Sequence, residues 1–404
     1  MKNAKRSPIL LSRGKAVLLL VSSVVLSMAL TGCGGDNNQS SSPPPPPPSP
    51  QEFVYVANGG SDDVSAFKVD VTAGTFAPVQ GSPFRSAAPG ASINDNVPGA
   101  VTANPSGKFL YVGNADSSNI SAFSVNPSTG VLTEISGSPF LAGAPAWIRI
   151  HPSGKFLYAA NFDQGSVSAF NIDPVTGALA QITGSPFSLN GLVFSIAMHP
   201  SGNFAYVTFS DQNTSLNIAV FKADTNTGAL TVISNASLAD KGGELTMHPS
   251  GKFLYSARSN KFFGQLPISP AAPGVRVLAV DATSGALSSV GTEPPFAMNA
   301  VEAAIDPSGK FLYAADDATG TVGHFAIDSG TGTVTHLQDV SAGSEPFGAT
   351  ASPFGKFLYV TNVASTNLSV FKIDPSSGAL TPLTGTPFST GLTPRSVVAV
   401  KPPA

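Results

Sequence analysis

Apolar and polar residues alternate over short stretches along most of this chain, and turn-forming residues separate the stretches. In residues 146–183 the pattern predicts four β-strands, because a period of two is typical of strands with one face buried. Tight turns at 152–155 and 173–177 connect the first strand to the second and the third to the fourth. The four strands span Ala146–His151, Phe156–Ala160, Val167–Ile172 and Ala178–Thr183.

This unit repeats along the chain. The run Pro-Ser-Gly-Lys-Phe-Leu-Tyr occurs at residues 105–111, 152–158, 249–255 and 307–313, with looser copies at 200–206 and 353–359. A seventh copy at 51–55 keeps the strand but lacks the turn. All seven tyrosines of the chain occupy the same position of this unit, at intervals of 46–58 residues. Repeats of this length indicate a repeat architecture.

Four antiparallel strands per repeat and seven repeats predict an all-β fold, a seven-bladed β-propeller. The first repeat begins at its second strand, Phe53–Ala57. We expect Arg395–Val400 to supply the missing first strand, so that the C-terminal strand completes blade one and closes the ring. Closure of this kind removes free sheet edges.

The innermost strands line the channel of such a propeller, and their residues sort by parity. One parity is mostly apolar, including Ile148, Ile196 and Leu245, and we expect it to pack between blades. The other parity carries polar and aromatic residues. The candidate ligand-binding or catalytic residues from these strands are Glu244, Glu302, Arg395, Arg149, Trp147 and Ser195.

Three histidines, His151, His199 and His248, tempt a metal assignment because they come from three neighbouring blades. Each directly precedes a proline, at the position where other repeats have Asn104, Asp306 or Ser352. The shared property is a hydrogen-bonding group at a turn. We therefore predict structural histidines and no metal site there, since zinc needs three or four convergent ligands.

Strand direction assigns the loops to two faces. The Pro-Ser-Gly-Lys turns lie on one face, which we call the turn face. The loops between second and third strands and those between blades lie on the opposite loop face. Two insertions, Arg85–Gly99 and Ser259–Val275, fall on the loop face. Because function is often carried by variable loops on a rigid scaffold, we expect the site at the loop-face mouth of the channel.

The N-terminus predicts a lipoprotein leader. Five basic residues precede the apolar run Ala16–Leu30, which is short for a membrane span, and residues 30–33, Leu-Thr-Gly-Cys, resemble the bacterial lipobox. The resemblance implies that residues 1–32 are a signal peptide and that Cys33, the only cysteine, carries the lipid. Gly34 follows it in place of aspartate, which implies an outer-membrane lipoprotein on the periplasmic or surface side.

Residues 33–51 then form a Pro- and Ser-rich tether, and residues 52–404 form the propeller. The proline run of the tether favours extended polyproline II. Loss of residues 1–32 removes five of the 21 Lys and Arg and none of the 24 Asp and Glu, leaving a formal charge of −8. An acidic chain of this kind argues against nucleic acid as a partner. We expect a monomer attached to the membrane by its lipid.

The repeat resembles a known family. Residues 359–362, Tyr-Val-Thr-Asn, with related runs at 111–114 and 55–58, are similar to the YVTN propeller repeat. The wider unit resembles the lactonase-type seven-bladed propellers, which include 6-phosphogluconolactonases. The resemblance covers about residues 52–401. It implies the fold and, for an active member, lactone hydrolysis. The family's enzymes carry His and Arg near the start of several inner strands, and here Arg395 matches in type while no His occupies these positions.

Two functions follow. The absence of the family's His favours a binding module that takes a protein or polysaccharide through its loop face. The alternative is a lactone hydrolase with a Glu/Arg site at the channel mouth, acting on a small lactone. In it Glu244 or Glu302 is the base and Arg395 or Arg149 holds the oxyanion. No cofactor is certain. The two carboxylates could instead hold a divalent metal ion, with calcium as the first candidate.

The lipobox-like segment generates the first test. The substitution Cys33→Ser should release the protein from membranes, because it removes the only thiol that can carry the lipid. Membrane and soluble fractions are compared by immunoblot after a carbonate wash, with Ser41→Ala in the tether as the matched control. Retention of the Cys33→Ser protein in the washed membranes would show that the anchor lies elsewhere.

Overall fold

The computed structural model describes residues 50–86, 100–210, 216–237, 243–259, 274–291 and 298–402, with the side chains of Leu216 and Ser237 excepted. These residues form seven antiparallel sheets; six are built from consecutive strands of one repeat, and the seventh combines the first strands of the chain with the last. The prediction of an all-β seven-bladed propeller is confirmed. No helix in these ranges is long and apolar enough to cross a membrane.

Each blade contains four main strands, ordered from the channel outwards. Blade one has Pro394–Val400, Gln51–Asn58, Asp63–Asp70 and Thr75–Pro78; blade two has Ala100–Ala103, Phe109–Asn114, Asn119–Val125 and Leu132–Glu134. Blade three has Pro145–Ile150, Phe156–Asn161, Ser166–Ile172 and Leu179–Gln181; blade four has Leu192–Met198, Phe204–Ser210, Leu216–Ala223 and Leu230–Ser237.

The remaining blades follow the same plan. Blade five has Leu245–Met247, Phe253–Arg258, Gly274–Val280 and Leu287–Ser289; blade six has Ala300–Ile305, Phe311–Asp316, Thr321–Ile327 and Val334–Ser341. Blade seven has Pro346–Ala351, Phe357–Asn362, Asn367–Ile373 and Leu380–Pro382.

The ring closes as predicted. The C-terminal strand pairs antiparallel with the first strand of the chain, in a register that places Phe53 opposite Val400 and Val56 opposite Val397. This pairing joins the two ends of the chain within one sheet. The strand Gln51–Asn58 is therefore paired on both edges, so that its N–H and C=O groups are not left open to another strand.

Four blades contain a short additional strand that the alternation does not predict. These strands, Phe84–Arg85, Phe140–Leu141, Phe187–Ser188 and Phe388–Ser389, each pair with the third strand of their blade. Each follows a Gly-Ser-Pro or Gly-Thr-Pro run whose hydroxyl accepts a hydrogen bond from the third strand, as Ser138 does from the amide of Ala122. These short strands could have been predicted from the recurring Gly-Ser-Pro or Gly-Thr-Pro run.

The core lies between the blades. Seven clusters of buried apolar side chains each join two neighbouring blades, and together they account for all seven junctions of the ring. Ile148, Ile196 and Leu245 belong to such clusters, so the predicted packing of the apolar parity is confirmed. Burial of this apolar surface is the main favourable term that holds the sheets face to face.

The repeated tyrosine forms a polar contact across the same junctions. Each ring is fully buried, and in six blades its hydroxyl donates to a glycine carbonyl in the outer turn of the next blade, as Tyr55 does to Gly130 at 2.8 Å. The other five pairs are Tyr111–Gly177, Tyr158–Gly228, Tyr206–Gly285, Tyr255–Gly332 and Tyr313–Gly378.

The seventh junction uses a carboxylate instead. Blade one lacks the tight turn between its first and second strands because the chain enters there. Glu52 instead provides the hydrogen-bond acceptor for blade seven. Tyr359 and Ser352 of blade seven both donate to Glu52, the serine at 2.6 Å, and the carboxylate is fully buried. Burial raises the pKa of Glu52, while the two hydrogen bonds act in the opposite direction.

This junction generates a stability prediction. The substitution Glu52→Ala leaves the buried hydroxyls of Tyr359 and Ser352 without their acceptor, and each such loss costs about 1–3 kcal/mol. We expect a lower melting temperature than for wild type. The control Glu134→Ala removes an exposed carboxylate from blade two and should have little effect. Equal melting temperatures for the two variants would contradict this role for Glu52.

Candidate functional site

The channel contains a cavity of about 430 Å³ lined by the innermost strands. Seven of its lining residues, one from each blade, come from equivalent positions and lie at one level of the channel; we call them the channel ring. Going from blade one to blade seven, they are Val398, Thr102, Arg149, Ala197, Thr246, Ala304 and Thr350. The ring contains one large charged side chain, that of Arg149.

Arg149 crosses part of the channel to reach a carboxylate two blades away. Its Nη2 donates to Glu244 Oε1 at 2.9 Å, from blade three to blade five. Blade four supplies Ala197 between them, and its methyl group leaves the path open. The Glu244 side chain is 1% exposed, against 29% for Arg149. The ion pair is therefore buried at the carboxylate and accessible from the cavity at the guanidinium.

Glu302 in blade six occupies the same strand position as Glu244 in blade five. Both residues line the cavity, and their carboxyl groups lie within hydrogen-bonding reach of each other. Oε2 of each is buried and has no donor among the described residues. Two ionised carboxylates cannot satisfy this arrangement, because both are acceptors. One proton shared between them would supply the donor, and we call the two residues the carboxyl pair.

The electrostatics agree with a shared proton. Burial is the largest influence on both groups and raises the pKa of Glu302 to about 8 and that of Glu244 well above its usual value. The charge of Glu302 raises the pKa of Glu244 further, while Arg149 lowers both. We assign the proton to the pair, since each carboxyl titrates in the field of the other. With one proton, the pair and Arg149 are neutral together.

Ser195 occupies the equivalent position in blade four but has a different role. It is fully buried, and its Oγ accepts a hydrogen bond from the amide of Leu245 in the next blade at 3.1 Å. Ser396 makes the same contact to the amide of Val101. At these two junctions the serine at this position connects neighbouring blades by a hydrogen bond. Ser195 is not among the residues that line the cavity.

Trp147 supports Arg149 from behind. The indole is fully buried, and the guanidinium carbon of Arg149 lies 5.3 Å from the centre of its ring. A cation over an aromatic face in a partly desolvated site is attracted by the ring quadrupole. Trp147 thus orients the guanidinium, and the cavity lining does not include the indole.

Arg395 lies apart from the carboxyl pair. Its guanidinium carbon is 5.2 Å from the centre of the Phe347 ring, and its side chain approaches Gly59 in the loop after the first strand of the chain. The described lining of the cavity contains Arg149 and lacks Arg395. Of the two arginines predicted to hold an oxyanion, the geometry brings Arg149 to the carboxyl pair.

The cavity extends from the carboxyl pair towards the turn face. Its lining continues along the inner strands to Pro152, the first residue of a tight turn. The predicted loop-face insertions fall almost entirely outside the described residues, which end at Ser86 before the first and at Ser259 before the second. The loop-face location of the site therefore stays a prediction.

The three histidines have the structural role predicted from their positions. His151 Nδ1 contacts Ser153 Oγ at 2.7 Å and Nε2 contacts the carbonyl of Gly202 in the next blade at 3.0 Å. His199 and His248 repeat both contacts, the first with a serine of their own turn and the second with a glycine carbonyl of the next blade. Gly202 has a φ of +77°, and a Cβ there would lie 2.3 Å from His151 Nε2, so this approach requires glycine.

Sequence reasoning missed part of the channel ring. Thr102 and Thr350 line the same cavity as the carboxyl pair. Ala197 carries no polar atom that would mark it as a site residue, although its small size lets Arg149 reach Glu244. The register of the repeats could have predicted them. In its own blade, each of the three residues lies two positions after the one equivalent to Glu244.

A metal would have few ligands here. In the part of the chain that the structure describes, no three or more His, Cys, Asp or Glu side chains are grouped to hold an ion. The carboxyl pair offers two such side chains, and Arg149 already occupies Glu244 Oε1. Calcium binding stays a prediction.

Solved structures with the same fold include proteins named as lactonases. A proposed 6-phosphogluconolactonase from Bacteroides uniformis superposes with a TM-score of 0.70 at 19% identity, covering 87% of this chain and 100% of its own. The periplasmic gluconolactonase PpgL of Pseudomonas aeruginosa gives a TM-score of 0.68 at 21% identity, covering 87% of this chain and 100% of that one. At these identities the likeness shows the fold.

Curated protein sequences contain no match to this chain. The family model described as "Lactonase, 7-bladed beta-propeller" matches it over residues 48–194, 195–350 and 272–393. These matches cover most of the chain, from the first strand of the propeller almost to the closing strand. The chain therefore belongs to the lactonase family of seven-bladed β-propellers.

Proposed function

We propose that this protein hydrolyses lactones in the channel cavity. The observation that carries the proposal is the carboxyl pair, Glu244 and Glu302, buried beside Arg149 at the wall of a cavity large enough for a small ligand. Sequence reasoning favoured a binding module because the family's His is missing. Family membership and the paired carboxyl groups support the alternative, because they supply an acid, a base and a cation without that His.

The carboxyl pair can activate water. With one shared proton, the pair contains one carboxylate that can accept a proton from a water molecule as the oxygen attacks the lactone carbonyl carbon. The attack creates a tetrahedral intermediate with negative charge on the former carbonyl oxygen.

Arg149 and the second carboxyl complete the reaction. The guanidinium, 29% exposed to the cavity, can donate to the developing oxyanion. When the bond between the acyl carbon and the ring oxygen breaks, the protonated member of the pair donates its proton to that oxygen, which becomes an alcohol. The pair ends with one proton, as it began, and the hydroxy acid product releases its own proton to solvent.

The charges of the cavity favour an uncharged substrate. Among its described lining residues, Arg149 is the single cation and faces two carboxyl groups. A phosphorylated lactone would bring two negative charges into a site whose single cation, Arg149, is already paired with Glu244, and it would find no second cation to offset them. We therefore propose an unphosphorylated lactone, and the gluconolactonase named among the structural relatives supports this choice.

The cellular setting is a second part of the proposal. We propose that the enzyme is a lipoprotein attached through Cys33 to the outer membrane, on the periplasmic or surface side. The lipobox-like residues 30–33 support this, and the proline-rich tether leads into the first strand at Gln51. An unphosphorylated substrate fits that location, because phosphorylated sugars are cytoplasmic metabolites.

Substitution of the carboxyl pair tests the chemistry. Glu302→Gln and Glu244→Gln remove one acid–base group each at nearly constant volume, and we expect each to lower kcat/KM about 100-fold or more. Hydrolysis of δ-valerolactone and D-glucono-δ-lactone is followed by proton release in weak buffer. Glu134→Gln, on the outer strand of blade two, is the matched control with wild-type activity. Full activity in both channel variants would overturn the proposed role.

The shared proton also predicts a pH dependence. Because burial raises the pKa of Glu302 to about 8, the pair loses its proton as pH rises through that value. We expect kcat/KM to fall across this range after subtraction of spontaneous hydrolysis. A profile flat from pH 6 to pH 9 would contradict the shared proton.

Stability should follow the same ionisation independently of catalysis. A carboxyl whose folded pKa is raised above its unfolded value near 4.5 contributes stability below that value and loses it as pH rises through about 8. The melting temperature of wild type should therefore decrease from pH 6 to pH 9 relative to that of Glu302→Gln. Parallel curves for the two proteins would argue against a buried titrating carboxyl.

A further inference from the structure

One position beyond the channel ring, towards the turn face, all seven inner strands carry an apolar residue. We call this set the collar. Its members are Ala103, Ile150, Met198, Met247, Ile305, Ala351 and Ala399. Every one of them is only partly buried.

The exposure of the collar is unusual for its parity. The residues two positions earlier in each strand face the same junctions and are almost completely buried, from 0% exposed for Ile148 and Ile196 to 7% for Val397. Four of the collar residues, Ile150, Met198, Met247 and Ile305, also pack against the clusters between blades, yet retain exposed surface. Five of the seven line the cavity, so their exposed surface faces it.

The collar and the carboxyl pair belong to one cavity. Met247 follows Glu244 by three residues in the same part of the chain, and Ile305 follows Glu302 by three. Three residues of extended strand span about 10 Å. A ligand whose reacting carbonyl lies at Arg149 and the carboxyl pair would therefore extend its remaining atoms along the collar as it points towards the turn face.

An apolar collar selects against a fully hydroxylated ligand. Sugar hydroxyl groups placed against Met198, Met247 and Ile305 would lose water without gaining hydrogen-bond partners. An alkyl group would instead cover apolar surface that is otherwise exposed to water. Methionine adapts its three flexible torsions to irregular apolar shapes, which suits a chain of variable length.

We propose that the collar binds an alkyl or acyl chain of the substrate, so that the natural substrates are lactones with an apolar substituent on the ring. This inference rests on the proposed lactonase function and specifies its substrate class. The carboxyl pair and Arg149 act on the lactone group, while the collar determines which lactones bind with the carbonyl in place.

Two lactones of one ring size test the inference directly. The purified full-length protein is assayed with δ-valerolactone, which has no substituent, and δ-decalactone, which carries a five-carbon chain. We expect kcat/KM to be at least about tenfold higher for δ-decalactone, because even one buried methylene can change substrate selection by this factor. D-glucono-δ-lactone, with hydroxyl groups at the corresponding positions, should be a poorer substrate than δ-decalactone.

Variants of the collar identify where the chain binds. Met198→Gln and Met247→Gln keep the length of the side chain and add a polar end, and each should lower the ratio of the two kcat/KM values several-fold. Leu337→Gln introduces the same end at an exposed position of the outermost strand of blade six and should leave the ratio unchanged. Melting temperatures identify any variant that has lost the fold.

The outcomes separate this inference from the proposed function. If no lactone is hydrolysed, the proposed function itself fails. If δ-valerolactone and D-glucono-δ-lactone are hydrolysed at least as efficiently as δ-decalactone, the lactonase stands and the apolar-chain assignment is overturned. The wild-type comparison decides this even where a collar variant does not fold.

Discussion

The hydrogen bond from a buried tyrosine to the outer turn of the next blade sets the geometry of this ring. Six tyrosines donate to a glycine carbonyl, and Tyr359 donates to Glu52 where the chain enters and leaves. A phenol buried without an acceptor costs about 1–3 kcal/mol, so a blade cannot shift relative to its neighbour without a penalty. Apolar packing supplies most of the stabilisation between blades, but it is not directional. The tyrosines add direction, and equivalent residues of different blades therefore meet at fixed levels of the channel.

One strand position shows how the repeated frame accommodates chemistry. In blades four and one it holds Ser195 and Ser396, which accept the amide of the next blade. In blades five and six it holds Glu244 and Glu302, whose longer side chains reach the cavity. Because the two blades are neighbours, the two carboxyl groups come within hydrogen-bonding distance. Glutamate at this position in two adjacent repeats thus places two carboxyl groups side by side, where blades four and one have serine.

The free-energy cost of burying two carboxyl groups side by side limits how far they can ionise. Two buried carboxylates would each lose hydration and would repel each other, which is why the pair retains a proton. Arg149 offsets the remaining charge at 2.9 Å from Glu244 and is itself held over the face of Trp147. A neutral, preorganised triad can be buried beside an apolar collar, whereas an isolated carboxylate there would take up a proton. The cavity consequently combines a small polar centre with apolar walls.

The sequence by itself determined the fold and the local roles. Seven tyrosines in one register indicated seven blades, and the incomplete first repeat indicated closure by the C-terminal strand. A proline after His151, His199 and His248 indicated a turn. These features can be read from the sequence because they depend on the repeat period and on residues adjacent in the chain. Parity also selected Glu244, Glu302 and Arg149, but it could not say that they meet. Arg149 and Glu244 are 95 residues apart, and their contact depends on ring curvature, side-chain length and the small Ala197 between them. Only the tertiary structure decided this, because distances across the channel are set by all seven blades together.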